Sequence, residues 1–249
     1  MLRRTVMTAA LLTAMSAPVG ALDLDAMSAK ERDAFGAAVR EYLLTNPEVL
    51  MEAIGVLEER EAEMAQRTER SMVAANSDAI FNDDHSYVGG NPDGDVVMVE
   101  FIDYRCSFCR RAHPEIHQLV NTDGNIRKII KEFPILGDES VNASRFAIST
   151  LRNAGPEAYA LVNDALIIRR GDFSERGLAR LAEELGLDAD TIIEGMDDPE
   201  VDEIIAANRA LAQQLQITGT PTFVVGDQLV RGYVPLEGMR EVVASVRGE

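Results

Sequence analysis

From about Asp25 to Asn82 the apolar positions recur at three- and four-residue intervals, and this spacing predicts helix throughout. Ser28-x-x-Glu31 has the form of a capping box, followed by Phe35, Val39, Tyr42 and Leu43 at helical spacing. Asn46-Pro47 predicts a stop and a restart, with a second helix from Pro47 to about Ile80. Leu50, Ile54, Leu57 and Met64 form a heptad-like seam in which Glu61 and Thr68 take the alternating positions. So narrow a stripe wants a neighbour: self-association, folding back onto the same chain and a solvated linker all remain open.

The pattern changes after residue 82. Gly89-Gly90-Asn91-Pro92-Asp93-Gly94 reads as a turn cluster, and Val96-Val97-Met98-Val99 opens a buried strand ending near Asp103. A helix is expected from Cys106 onward, then a second strand over Ile126–Phe133. Residues 137–216 read as nearly all helical, with apolar faces marked by Phe146 and Leu151, Leu161 and Leu166, and Leu178, Leu181 and Leu185. Asp198-Pro199 starts a helix carrying Val201, Ile204, Ile205, Leu211 and Leu215. Thr222–Val225 and Leu229-Val230 pair across Gly226-Asp227, and a last helix covers Leu236–Val246. Strand, helix, strand, helical block, hairpin and helix is an α/β or α+β layout.

At the N-terminus, Arg3 and Arg4 precede an apolar run too short to span a bilayer, followed by Val19-Gly20-Ala21. This is the form of a cleaved export signal over residues 1–21, with cleavage after Ala21. Lys and Arg number 24 against 42 Asp and Glu, a formal charge of −18. That balance argues against a nucleic-acid partner, which needs clustered basic residues. Export changes how the cysteines read. Cys106 and Cys109 are the only two in the chain, and so short a loop gains little from closure. Their spacing is that of reversible dithiol chemistry.

At a helix N-terminus the unpaired N–H groups favour a thiolate, so Cys106 is the expected attacking thiol and Cys109, one turn inward, the resolving one. Arg105, Arg110 and Arg111 flank the pair and add positive potential. The competing reading is half a zinc site. It needs two more ligands, and the histidines are His85, His113 and His117. His113 and His117 stand four apart on one helix, but Pro114 occupies the position where H-E-x-x-H has Glu. The ten methionines form no cluster. Neither a metal nor a cofactor is expected.

Phe101-Ile102-Asp103-Tyr104-Arg105-Cys106-Ser107-Phe108-Cys109, with His113-Pro114 after it, resembles the active site of DsbA-like thioredoxin-fold proteins. Thr218-Gly219-Thr220-Pro221-Thr222-Phe223 resembles that family's cis-proline loop, and Pro114 its kink proline. The resemblance covers roughly Ser86 to the C-terminus. It implies an α/β thioredoxin fold over residues 83–249 with a helical insertion at about 138–217, preceded by an N-terminal helical segment over 22–82. The roles implied are Cys106 as nucleophile, Cys109 as its partner, Pro221 after a cis bond, and Thr220 offering backbone groups to an extended client. Glu100 resembles the buried acid that assists proton transfer. A satisfied strand-end carboxylate fits it equally, and either Lys128 or Lys131 would be its partner.

Tyr42-Leu43-Leu44-Thr45-Asn46-Pro47-Glu48-Val49-Leu50 is similar to the extension of an ScsC-related subgroup, which implies a homo-oligomer, a trimer in that subgroup. Thr before the cis-proline is associated with isomerase- and reductase-like members. The absence of His between the cysteines implies a less stabilised thiolate and a less oxidising couple. The expectation is a periplasmic oxidoreductase acting as isomerase or reductase on unfolded or misfolded exported proteins, with a membrane redox partner. The alternatives are a dithiol oxidase and a copper-handling or client-holding protein whose thiols only bind.

Overall fold

The computed structural model describes residues 27–248, so the export signal expected over 1–21 lies outside the described residues. The described residues divide into two compact units, the first ending at Glu59 and the second beginning at Arg60.

In the first unit, α1 covers Ala29–Thr45, and α2 starts at Glu48 and continues to Ala75. The capping box forms: Glu31 N–H donates to Ser28 Oγ at 3.4 Å and Ser28 N–H to Glu31 Oε2 at 2.9 Å. Pro47 sits in the break between the helices, where Asn46 N–H still bonds the Tyr42 carbonyl at 2.8 Å. α1 buries no residue. Phe35, Val39, Tyr42, Leu44, Leu50, Met51, Ile54 and Leu57 are all exposed.

The second unit begins inside α2. The helix expected to reach Ile80 is interrupted at Asn76, whose side-chain amide donates to the Met72 carbonyl at 2.8 Å. A short α3, Ser77–Phe81, follows. Val73 and Ile80 are buried with Val99, Phe101 and Ile129, so the last turns of the 22–82 segment belong to the core of this unit.

That core is built on β1 (Tyr87–Gly90), β2 (Val96–Ile102), β3 (Ile126–Glu132), β4 (Thr222–Val225) and β5 (Gln228–Arg231). They form one sheet in the order β1-β3-β2-β4-β5, with β2 and β3 parallel and the other pairs antiparallel. β1 was not expected. Its Gly89-Gly90 reads as turn in sequence, yet the strand pairs Tyr87 with Ile130 and Gly90 with Arg127. Gly90 has φ +69°, and a Cβ there would collide with the Ile126 carbonyl, so the position requires glycine.

The parallel β2–β3 pair needs a crossover, supplied by α4 (Ser107–Asp123). Ala112, Ile116 and Leu119 of α4 pack with Met239 and Val243 of α9 (Leu236–Arg247) on Val96, Met98, Ile126, Phe223 and Val225. The opposite face carries Val99, Phe101, Ile129 and Val224 against Val73, Ile80, Leu211 and Leu215. Between β3 and β4 lies the expected helical insertion: α5 (Asp138–Ile168), α6 (Glu175–Glu184), α7 (Ala189–Gly195) and α8 (Pro199–Gln214). α5 is kinked at Gly155, with φ +87° before Pro156. Phe146, Val162, Leu166, Leu178 and Ile192 of the insertion form one cluster with Ile102, Tyr104, Cys106 and Cys109. The cysteines therefore lie at the seam between insertion and sheet. No described helix is long and apolar enough to cross a membrane.

Candidate active site

β2 ends at Ile102, and the chain turns through Asp103-Tyr104-Arg105 into α4. Asp103 is fully buried and fixes this turn. Its Oδ1 accepts from Arg105 N–H at 2.8 Å and Ser140 Oγ at 2.9 Å, and its Oδ2 from the N–H groups of Ile135 at 2.8 Å and Leu136 at 3.1 Å. Cys106 N–H then bonds the Asp103 carbonyl at 3.0 Å. This makes Cys106 the N-cap of α4, the position with the most unpaired donors.

The two thiols are free and differently housed. Cys106 Sγ accepts from Cys109 N–H at 3.4 Å and lies 3.1 Å from the Thr220 carbonyl oxygen, to which its S–H donates. Its pKa is lowered to about 5 by the Cys109 thiol first, with the Thr220 side chain and the N–H groups of Cys109 and Phe108 adding to it against an opposing burial cost. Cys109 is fully buried, and burial together with the neighbouring Cys106 drives its pKa far upward. A lowered pKa is what the helix N-terminus predicts for Cys106, although the sequence between the cysteines has no His. Local hydrogen bonds depress its pKa without one.

Pro221 follows a cis peptide bond from Thr220, and this loop faces Cys106 although the two are more than a hundred residues apart in sequence. Glu100 is fully buried on the β2 face beneath α4, where its charge acts on Cys109. Lys128 is its partner, with Nζ 2.8 Å from Oε2, while Oε1 has no hydrogen-bond partner. Lys131 points to the other face, donating to the Ala79 carbonyl at 2.8 Å and pairing with Asp83. The flanking arginines are structurally engaged. Arg105 meets Glu139 at 2.8 Å, Arg110 donates to the carbonyls of Ile167 and Arg169 at the end of α5, and Arg111 lies 4.3 Å over the Tyr233 ring.

Glu132 and Asp164 escaped sequence reasoning. Buried Glu132 accepts from Tyr104 at 2.7 Å, Tyr159 at 2.6 Å and Ser144 at 2.7 Å, and burial pushes its pKa up to about 7 against those bonds. His113 is buried, and burial takes its pKa down to about 4. Its Nε2 lies 2.9 Å from Asp164 Oδ1, and His117 Nε2 lies 3.3 Å from the same oxygen. Among the described residues this trio offers ligand atoms all within 4.8 Å of one another. Asp164 stands on α5, and nothing local in sequence links it to the histidines.

A parallel-centred sheet with an N-capping cysteine facing a cis-proline loop defines a thioredoxin-fold dithiol protein. The family model described as Thioredoxin matches residues 82–245, and the chain belongs to that family, as a DsbA- and ScsC-like member. The Copper resistance protein ScsC N-terminal domain matches residues 31–63. A thioredoxin-like oxidoreductase from Silicibacter pomeroyi DSS-3 is 42% identical, with TM-score 0.65, covering 70% of this chain and 99% of its own. The thiol-disulfide exchange protein alpha-DsbA2 from Wolbachia pipientis is 29% identical, with TM-score 0.69, covering 74% and 98%. A linker-deletion variant of ScsC from Proteus mirabilis is 26% identical, with TM-score 0.67, covering 90% and 98%. A curated relative, Na(+)/H(+) antiporter NhaA 1 of Salinispora arenicola (strain CNS-205), is 28% identical over 163 residues, 65% of this chain. The chain spans about a quarter of the length of the curated relatives it matches. Fold, site and solved relatives together support disulfide oxidoreductase chemistry.

Proposed function

We propose that the protein is a periplasmic thiol–disulfide oxidoreductase that isomerises or reduces disulfides of exported proteins. The asymmetry of the dithiol, with Cys106 thiolate at neutral pH and Cys109 sealed and protonated, supports exchange chemistry, and Thr220 before the cis-proline carries the isomerase or reductase direction. The Cys106 thiolate attacks a client disulfide, forming a mixed disulfide and expelling the client's other sulfur as thiolate. In isomerisation that thiolate attacks a second client disulfide, and Cys106 is finally expelled with no net electron transfer. In reduction, Cys109 loses its proton and attacks the Cys106 sulfur. The client then leaves with two electrons gained, and the Cys106–Cys109 disulfide is re-reduced by a membrane redox partner.

Glu100 is the proposed proton acceptor for Cys109, a role supported by its unpartnered Oε1 and its electrostatic effect on that thiol. The main chain at Thr220 and Pro221 is the proposed docking edge for an extended client segment. Residues 22–82 are the proposed oligomerisation segment. The exposed apolar side chains of α1 and α2 support self-association, and the ScsC-like match over 31–63 supports a trimer. Periplasmic placement rests on the export-signal pattern and on relatives such as a periplasmic thioredoxin-like protein from Salmonella enterica serovar Typhimurium.

The test is recovery of activity by scrambled, fully oxidised ribonuclease in a glutathione buffer with the full-length mature protein. Recovery well above buffer alone is expected, and no recovery sinks the isomerase reading. The low Cys106 pKa favours a second reading, dithiol oxidase, because a stabilised thiolate makes the reduced form more stable and the couple more oxidising. Trapping the pair fully oxidised in cells would establish that second reading.

A further inference from the structure

On α4, Cys109, His113 and His117 are spaced four residues apart, so they share one face of the helix. The cysteine ends that row at the dithiol, and the two imidazoles continue it toward α5, with ring centroids 4.3 Å apart. Asp164 of α5 meets both through a single oxygen, at 2.9 and 3.3 Å from the two Nε2 atoms. Ligand atoms about 2.0–2.2 Å from a tetrahedral ion stand roughly 3.3 Å apart, so both imidazole–carboxylate spacings are already near that value, and all three ligand atoms lie within 4.8 Å of one another. His113 Nδ1 has no hydrogen-bond partner, leaving Asp164 as the polar group that orients this buried ring. A cavity bounded by Tyr87, Lys128 and Asn163 reaches His117 and Asp164 and leaves room for a further water ligand. The ammonium of Lys128 is paired with Glu100, yet at both histidines its charge outweighs that of Glu100, so Asp164 is the group that offsets positive charge at the site.

We propose that His113, His117 and Asp164 form a binding site for a divalent first-row transition ion, with Zn²⁺ or Cu²⁺ best suited to two imidazoles and one carboxylate. Such an ion would fasten α4, which carries the dithiol, to the insertion helix α5 without using either cysteine. The site needs no H-E-x-x-H pattern, because its carboxylate comes from a different helix. An open fourth position, held by water, is the form of a three-ligand site.

The experiment uses the full mature chain with Cys106→Ser and Cys109→Ser, so that no thiol competes for metal. Titration with Co²⁺ is expected to give visible d–d absorption saturating at one ion per chain, displaced by Zn²⁺, with Zn²⁺ raising the thermal midpoint. In the same background, His117→Ala and Asp164→Asn should each weaken binding by more than about tenfold, the scale on which metal-site groups act. Both side chains are about half exposed, so each variant is expected to keep the metal-free midpoint of its parent. Absence of saturable binding in the cysteine-free protein overturns the proposal. Binding of equal affinity in either variant overturns it as well.

Discussion

Two buried ion pairs lie on opposite faces of the same parallel strand pair, and they are built differently. On the face away from α4, Lys131 is completely buried, donates to the Ala79 carbonyl and meets Asp83. Asp83 in turn accepts from the N–H and hydroxyl of Ser86 at 2.9 and 3.0 Å. Beneath the cysteines, Glu100 has Lys128 as its ion-pair partner, and neither of its oxygens makes a hydrogen bond. A fully bonded pair is a fastening between α3, its following loop and β3. An under-bonded carboxylate beside a thiol that must lose a proton is suited to accept one. Burial and charge alone do not distinguish the two pairs; the remaining hydrogen bonds do.

The largest effect should come from the dithiol itself. Cys106→Ser is expected to abolish exchange and to keep the native far-UV circular dichroism spectrum, with a stability loss at neutral pH that disappears as pH falls toward 5. Cys109→Ser should accumulate mixed disulfides through Cys106 on non-reducing gels, and a failure to trap clients would favour a protein whose thiols only bind.

Next, Lys131→Met should cost about 3–5 kcal/mol by stranding Asp83, with the alkylation profile of Cys106 unchanged. The paired change Glu100→Leu with Lys128→Met removes both charges of this pair. It should leave stability neutral or raised, because apolar replacement of a whole buried pair is commonly tolerated. Resolution of a mixed disulfide by Cys109 should nevertheless slow by roughly 10²-fold, the lower range for a lost general base. Unchanged resolution would reduce Glu100 to a structural partner of Lys128.

The smallest effects are pH dependences of opposite sign. Cys106 has a depressed pKa of about 5, so its thiolate contributes stability that is fully present above the unfolded thiol pKa. That contribution is lost as pH falls toward 5, and iodoacetamide reactivity should fall with the same midpoint. Glu132 is raised to about 7, so its contribution is full below its unfolded value of 4.5 and declines as pH rises through 7. Glu132→Gln should flatten that decline and leave the alkylation midpoint in place.

Much of this site was legible in sequence because its parts are local or carry distinctive residues. The strand before Cys106, the helix after it and Thr220-Pro221 each announce themselves within a few positions. The partner of Glu100 did not, since β3 is buried on both faces and has no alternation to reveal which lysine points where. β1 was hidden because Gly89-Gly90 looks like turn, although Gly90 is needed for close backbone approach within a strand. Asp103, Glu132 and Asp164 act mainly through contacts with residues 12 to 51 positions distant, and no local pattern encodes such meetings. The unmet apolar stripe of α1 was legible as a pattern, and its side chains remain exposed in the single chain.

The short contact between Cys106 Sγ and the Thr220 carbonyl has a consequence for timing. A protonated sulfur occupies that oxygen by donating to it, whereas a thiolate has no proton to give and repels it. Ionisation therefore arms the nucleophile and vacates a main-chain acceptor in the same event. On the proposed docking edge, an incoming segment would compete with a protonated sulfur for this oxygen and would meet no such competition from a thiolate.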